Sequence, residues 1–408
     1  MSVTNLARKI QASEALPVFK SRSDAVAAVQ VLLPRIRARA LRTDSDRLVP
    51  AETISDLMEA GLFGVMNSAA HGGSALGFSS MVEITTEIAS ACGSSGWVFG
   101  VLAGHSWLLN YFPEATQREV HAGGRGLSAT VFRLGGKAVF EGSGIRITGG
   151  EGRFCSGIDH AQWVVVGIPV AREGVSPEPH FLVIPRSEVE IVDDWFTAGM
   201  RGTGSRTIRI KDSFVPIERA VAFKDMNAIG AAEASRTGNA LHGVPWSSVL
   251  PFSLIGAPMG MARGTLANFA EGAAPRMALF SELQLAEQSA TFARVSEASA
   301  DIDAAFALVM ADAQFVEQIS DAKQMTSLAS ARIARDWAWA AQKSRYAATR
   351  LFEAAGGTGI YDSSEMQRMW RDVNSAAQHF AFTWDGAMAI HGRAQLGIEP
   401  GKFGVKGR

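Results

Sequence analysis

Four segments carry side chains whose types and spacing suit chemistry. In ACGSSGWVFGVLAGHSWLLN, small residues feed a helical stretch where Trp97, Val101 and His105 recur at i, i+4 and i+8, one helix face. A histidine facing a pocket from that stripe is a candidate base, its ordinary pKa being about 6.5; a satisfied core histidine has the same spacing. GLSATVFRLGGKAVFEGSGIRITGGEGRFCSGIDHAQWVVVG alternates strands with glycine turns and sets the hydroxyls of Ser128, Thr130 and Ser156 at strand positions. Hydroxyls and backbone donors on a sheet edge can hydrogen-bond a planar heteroaromatic ring, although a hairpin-rich sheet needs no ligand to explain it. Asp159 and His160 follow, but strand neighbours point to opposite faces and make a poor catalytic pair. In LFEAAGGTGIYDSSEMQRMWRDV, GGTG between two helices either brings backbone N–H groups to a ligand or closes a tight turn. In RDVNSAAQHFAF, Arg371, Asp372 and Asn374 precede His379 by a turn or two on one predicted helix. A histidine deep in an apolar helix is a functional candidate.

The elements that must position these residues fall into three blocks. Helical signals run from about Ser23 to Glu119, with Asp24 in the first turn of AVAAVQVLLPRIRARAL and Met81, Ile84 and Ile88 on one face before a stop at Gly93. From about Gly124 to Phe223 the period shortens to two, and short β-rich runs without intervening helices predict an antiparallel sheet or small barrel. Beyond about Gly243 long helices return. Phe292, Val295, Ile302, Phe306 and Val309 share one stripe, and further helices are predicted from Asp321 to Ala355 and from Ser363 to His391. The expected domains are 1–123, 124–226 and 227–408.

Composition narrows the partners. A chain of 408 residues accommodates two or three domains at about 150 residues each. A net charge of −1 gives no global reason to bind nucleic acid or an anionic membrane. No apolar run approaches the ~20 residues of a membrane helix, and MSVTNLARKI lacks the apolar stretch of a signal peptide, so a cytoplasmic location is expected. Cys92 and Cys155 read as buried small hydrophobes. GxGxxG before a helix, GxxxxGK[ST], GxSxG and HExxH are all missing, and no metal site is expected. Glycine, at 41 residues, is about 10% against a usual ~7%.

In this order, the four segments resemble the acyl-CoA dehydrogenase fold over nearly the whole chain, to about Gly397. WFTAGMRGTGSRTIRIKDSFVPIERA resembles that family's middle-domain exit, and FEAAGGTGIY resembles its helix–helix turn. The resemblance implies an α+β architecture: an N-terminal helical domain, a middle antiparallel β-domain and a C-terminal four-helix bundle. The dehydrogenases' catalytic glutamate is not matched. Counted from Arg371–Asp372, its position falls at Phe380; no Glu lies between Val373 and Ile398, and Asp385 is displaced from it. Removing a proton beside a thioester carbonyl needs a carboxylate base there. GSSGWVFGVLAGH, RFCSGIDHAQWVVVG and RMWRDVNSAAQH resemble instead the two-component flavin monooxygenases built on this fold, which include hydroxyphenylacetate and secosteroid hydroxylases, dibenzothiophene monooxygenases and indole oxygenases.

That resemblance implies an oxygenase component that receives reduced flavin (FMNH2 or FADH2) from a separate NAD(P)H:flavin reductase. It implies reaction with O2 to a C4a-hydroperoxide and oxygen transfer to a small aromatic substrate. Ser156 is implied to meet flavin N5, and His379 to stand beside the peroxide. Trp97 and His105, with Leu241 and Trp246, are implied on the substrate side; Ser128, Thr130, Phe132 and Phe154 along the isoalloxazine. Arg276 is implied at the flavin phosphate, and Gly356, Gly357 and Thr358 as contributions from a neighbour in a homotetramer. Gly152 stands where the related motif has Trp, which either widens the pocket or shifts local packing. ALHGVPWSSVLP holds no Arg or Lys, which favours a neutral phenol, indole or polycycle. Two other readings stand beside this one: an acyl-CoA dehydrogenase with an atypical base, and a catalytically silent flavin-binding homologue.

Overall fold

The first helix begins where its sequence supplies a cap. In a computed structural model describing residues 15–278 and 282–398, α1 (Arg22–Ser45) starts after Ser21, whose hydroxyl accepts the Asp24 N–H. The MSVTNLARKI stretch lies outside the described residues. Ala25, Val29, Leu32, Ile36 and Ala40 form the buried face of α1. α2 (Ala51–Glu59) and α3 (Phe78–Ala91) follow. Cys92 leaves helical geometry for one residue and α4 (Gly93–Leu108) starts at once, so the predicted stop at Gly93 is a break between two helices. Every residue of α4 is buried, and α5 (Glu114–Val120) closes the block.

Eight strands then form one sheet: β1 (Ser128–Val131), β2 (Lys137–Glu141), β3 (Gly144–Cys155), β4 (Trp163–Arg172), β5 (Val175–Pro185), β6 (Glu190–Val192), β7 (Arg206–Pro216) and β8 (Ala220–Ala222). Their order is β6-β7-β3-β2-β4-β5-β8, with β1 also on β4. The sheet is mixed, which corrects the wholly antiparallel expectation: β1 and β2 both run parallel to β4, end to end along one edge. The link between them jogs instead of reversing. Leu134 N–H reaches Gly167 O at 2.7 Å, Gly135 N–H reaches Glu151 O at 2.8 Å, and Gly136 takes φ +104°. In the β3–β7 pair the register shifts between Gly152 and Cys155. Phe154 sits at that bulge with φ +63° and its ring thrown outward, 69% exposed.

The remaining helices are α6 (Phe223–Thr237), α7 (Phe252–Asn268), α8 (Ser289–Glu317), α9 (Ser327–Ala355), α10 (Glu365–Ala376) and α11 (Trp384–Gln395). Helices α7 to α10 make the four-helix bundle. Nearly all of α7 is buried, and a stripe of its glycines lies directly on the backbone of α3. A Cβ at Gly256, Gly260 or Gly264 would meet the carbonyl oxygens of Val82, Thr86 or Ser90 at 2.5, 2.2 or 2.3 Å. Part of the glycine excess therefore holds two helical blocks together. On α8 the buried stripe runs through Ala298, Ile302, Ala305 and Val309, while Phe292, expected on it, is exposed. The predicted helix from Ser363 to His391 is two helices. Between them His379 is extended (φ −60°, ψ 139°), and its Nδ1 accepts the Ala381 N–H at 3.3 Å, capping a single 3-10 turn over Phe380–Phe382. A side chain that caps locally competes with helix continuation. Among the described residues no helix is long and apolar enough to cross a membrane, no group of three or more His, Cys, Asp or Glu is placed to hold a metal, and both cysteines are buried free thiols.

Candidate active site

The break between α10 and α11 meets α4 beside the sheet, and a cavity of about 860 Å³ is lined by all three. Trp97, Val101 and His105, on successive turns of α4, form one wall. Thr130 comes from β1, Phe132 from just past its end, Ser156 from the turn after β3, and His379 and Phe380 from the break. His379 meets Trp97 edge to face at 5.2 Å, and His105 meets Phe132 likewise at 5.9 Å. Burial pushes the His105 imidazole down to about 3, with His379 nearby adding to it; desolvation pushes His379 down to about 4. Both rings are therefore neutral at pH 7. His105 Nδ1 is buried without a hydrogen-bond partner.

At the other end the polar atoms are chained together. Trp97 Nε1 donates to Ser156 Oγ at 3.3 Å, Ser156 Oγ lies 2.6 Å from Ser205 Oγ, and Ser205 Oγ lies 2.7 Å from Thr203 Oγ1. Thr203 donates to Met200 O at 2.8 Å. Met200 has left-handed backbone (φ +56°), and its N–H donates to the buried Asp372 carboxylate at 2.6 Å while its O also accepts from Trp195 Nε1 at 3.0 Å. Burial raises Asp372 to about 6, with the Met200 N–H acting against it. These contacts give GMRGTGS a physical reading: a tight loop tied to the cavity wall.

Several expected residues lie elsewhere. Ser156 and the Asp159–His160 pair are in the turn after β3, not on a strand, because β3 ends at Cys155. Asp159 pairs with Arg206 at 3.2 Å and takes no part in the cavity. Ser128 is buried on β1, two residues before Thr130 and outside the lining. Trp246 stacks parallel to Phe132 at 6.4 Å, so the Phe132 ring separates it from the cavity, and Leu241 is packed in the core. Arg276 and Thr358 line a separate groove of about 360 Å³ with Arg37 and Glu271. There Arg276 Nη2 donates to Ala355 O at 2.6 Å, and Gly356 (φ +64°) ends α9 with Gly357 exposed beside it. Within one chain these residues do not meet Ser156. A Cβ on Gly152 would lie 2.4 Å from Val131 Cγ1, so the glycine there reflects local packing. Thr203, Ser205, Arg133 and Arg153 line the cavity and were not singled out in the sequence; the first two were visible only as polar letters in GMRGTGS.

Thr130 Oγ1 and His105 Nδ1 are buried without partners, Ser156 retains an open lone pair, and the volume lies in the range of small-molecule sites. An apolar slot edged by unused hydroxyls fits a planar ring with polar edges, as a flavin has. Residues 26–121 match the acyl-CoA dehydrogenase N-terminal domain and residues 253–384 the acyl-CoA dehydrogenase C-terminal domain. Over 386 residues the chain is 33% identical to the flavin-dependent monooxygenase oxygenase subunit HsaA of Mycobacterium tuberculosis, covering 92% of this chain and 96% of that protein. The chain belongs to the flavin-dependent monooxygenases of the acyl-CoA dehydrogenase fold. It is also 31% identical to the FADH(2)-dependent resorcinol hydroxylase oxygenase component of Rhizobium sp., over 89% of this chain and 92% of that one. The crystal structure of HsaA monooxygenase from M. tuberculosis superposes with a TM-score of 0.86 at 32% identity, over 94% of this chain and 99% of that chain. In this monooxygenase the position counted for the dehydrogenase glutamate is Phe380, and the one carboxylate lining the cavity, exposed Glu151, is 2.9 Å from Arg209.

Proposed function

We propose that this chain is the oxygenase component of a two-component system that uses reduced flavin and O2 to oxygenate a small, neutral aromatic substrate. The observation that carries this reading is the cavity itself: mostly apolar, with two neutral histidines and a buried hydroxyl chain on its walls, and with Phe380 where dehydrogenation requires a carboxylate. Bound there, reduced flavin supplies O2 activation and the oxygen atom that is transferred. Thr130, Phe132 and Phe154 would hold the ring and Ser156 its N5 edge. Arg133 and Arg153, both exposed at the cavity, are placed to receive a phosphate.

The other wall handles the substrate. His105, neutral and in no hydrogen bond with the described residues, accepts a hydrogen bond from a phenol OH or an indole NH and fixes the ring's orientation. His379 accepts Ala381 N–H at Nδ1, so its neutral ring carries its proton on Nε2 as a donor. Trp97, Val101 and Leu254 exclude water from between the two. No fixed charge stands on this wall, which favours a neutral ring over a carboxylated one. A separate reductase supplies the flavin, consistent with the missing dinucleotide signature. Exposed Met277, Ile360 and Tyr361 around the Arg276 groove favour packing against further copies, so that Arg276, Gly356, Gly357 and Thr358 reach a neighbour's flavin in a homotetramer.

The test supplies anaerobically reduced flavin and O2 with matched phenols, indoles and their carboxylated analogues, and reads hydroxylated product. Product from the neutral rings at higher kcat/KM supports the reading. Bleaching of bound oxidised flavin by an acyl-CoA, without any oxygenated product, would instead mean dehydrogenation; flavin binding with neither reaction would mean a silent homologue.

A further inference from the structure

We infer that Thr203 and Ser205 are positioning residues that lock the direction of the Ser156 hydroxyl, so that Ser156 offers the flavin edge a lone pair and thereby selects reduced over oxidised flavin. This rests on the placement of flavin at Ser156 proposed above.

Counting protons fixes the direction. Each hydroxyl carries one proton, and a carbonyl only accepts. Thr203 gives its proton to Met200 O, so the 2.7 Å contact between Thr203 and Ser205 needs the proton of Ser205. The 2.6 Å contact between Ser205 and Ser156 then needs the proton of Ser156. Trp97 Nε1–H, which only donates, fills one lone pair on Ser156 Oγ. What Ser156 has left for a ligand is its second lone pair. All four side chains are buried, which restricts water from turning the chain around. Its far end is rigid, since the Met200 peptide is held at N–H by Asp372 and at O by Trp195. Gly204 joins the two hydroxyl residues in left-handed backbone (φ +52°), and a Cβ there would lie 2.8 Å from Asp159 Oδ2. The loop therefore admits little but glycine at its centre.

Reduced flavin carries N–H at N5; oxidised flavin presents an N5 lone pair. A fixed acceptor on Ser156 is complementary to the first and opposes the second, leaving two acceptors face to face. Ser205→Ala removes the acceptor for the Ser156 proton, and Ser156 can then turn and donate to oxidised N5.

The experiment measures dissociation constants for reduced flavin, under anaerobic conditions, and for oxidised flavin, in the wild type and in Ser205→Ala, Thr203→Val and Ser205→Thr. Wild type is expected to prefer reduced flavin. In Ser205→Ala that preference falls by about tenfold, a loss of one hydrogen bond's polarity, which lowers the bound two-electron potential by about 30 mV. Thr203→Val shifts it the same way by less, and Ser205→Thr keeps it. A variant that weakens both flavin forms alike, as mere loosening of the loop would, overturns the proposal. So does an unchanged ratio in Ser205→Ala. Absence of flavin binding by the wild type would overturn the functional reading and this proposal together.

Discussion

The cavity beside α4 and the groove around Arg276 both drew sequence expectations for one ligand, yet they are built from opposite materials. Cavity polar atoms are mostly buried and neutral: two imidazoles pushed far below their ordinary range, an indole and a row of hydroxyls. Groove polar atoms are charged and face solvent, with Arg37 bridging Glu271 at 2.8 Å and Glu365 at 3.1 Å beside Arg276. Buried neutral groups act through fixed geometry and exclusion of water, whereas exposed charges act through attraction that salt screens. On the function proposed above, this contrast assigns the chemistry to the cavity and flavin affinity to the groove.

Substitutions can break that division, and the largest effect is expected at His105. His105→Ala should lower aromatic product per reduced flavin by about a hundredfold, the range for losing the group that orients the reacting ring, with flavin affinity within about twofold. Product against hydrogen peroxide, both assayed at saturating substrate, reads this directly; a parallel loss of flavin binding would remove His105 from the substrate wall. Arg276→Ala should do the reverse. Flavin affinity falls by about tenfold, most strongly at low salt, while product per flavin bound is unchanged. Flavin titration at two ionic strengths checks it. Ser156→Ala should shift several-fold more of the consumed O2 to hydrogen peroxide, a smaller effect because Trp97 and Thr130 remain.

A pH series sharpens the same contrast. The folded pKa values of His105 and His379, about 3 and about 4, lie below the ordinary 6.5. The unfolded chain therefore binds more protons below pH 6.5, and the stability these neutral rings contribute above that pH is lost as pH falls toward 4. Asp372, raised to about 6, opposes part of this loss by taking its proton in the folded state. Melting temperatures from pH 7 to 4 should fall by a few degrees less in His379→Gln than in wild type. Equal slopes would mean that the ring is not desolvated as described.

Much of this was legible in the sequence because periodicity reports burial. The helical, β and helical order, and the face shared by Trp97, Val101 and His105, followed from spacing alone. What spacing missed depends on tertiary geometry. The parallel pairing of β1 and β2 with β4 is set by a glycine jog, and the helix stop before His379 comes from a side-chain cap with no glycine or proline to announce it. Leu241 and Trp246 lie outside the cavity lining, Leu241 packed in the core and Trp246 behind the Phe132 ring, a separation along the chain that spacing does not report. The glycines of α7 look like a helix weakness until the α3 backbone is laid against them.

The central claim is that this cavity transfers oxygen from O2 to an aromatic ring. Supplying isotopically labelled dioxygen to the protein with reduced flavin and a neutral phenol or indole, then weighing the product by mass spectrometry, tests it most directly. One labelled oxygen atom in the ring product is the predicted result. An unlabelled product, or consumption of O2 to hydrogen peroxide alone across phenols and indoles, would contradict it.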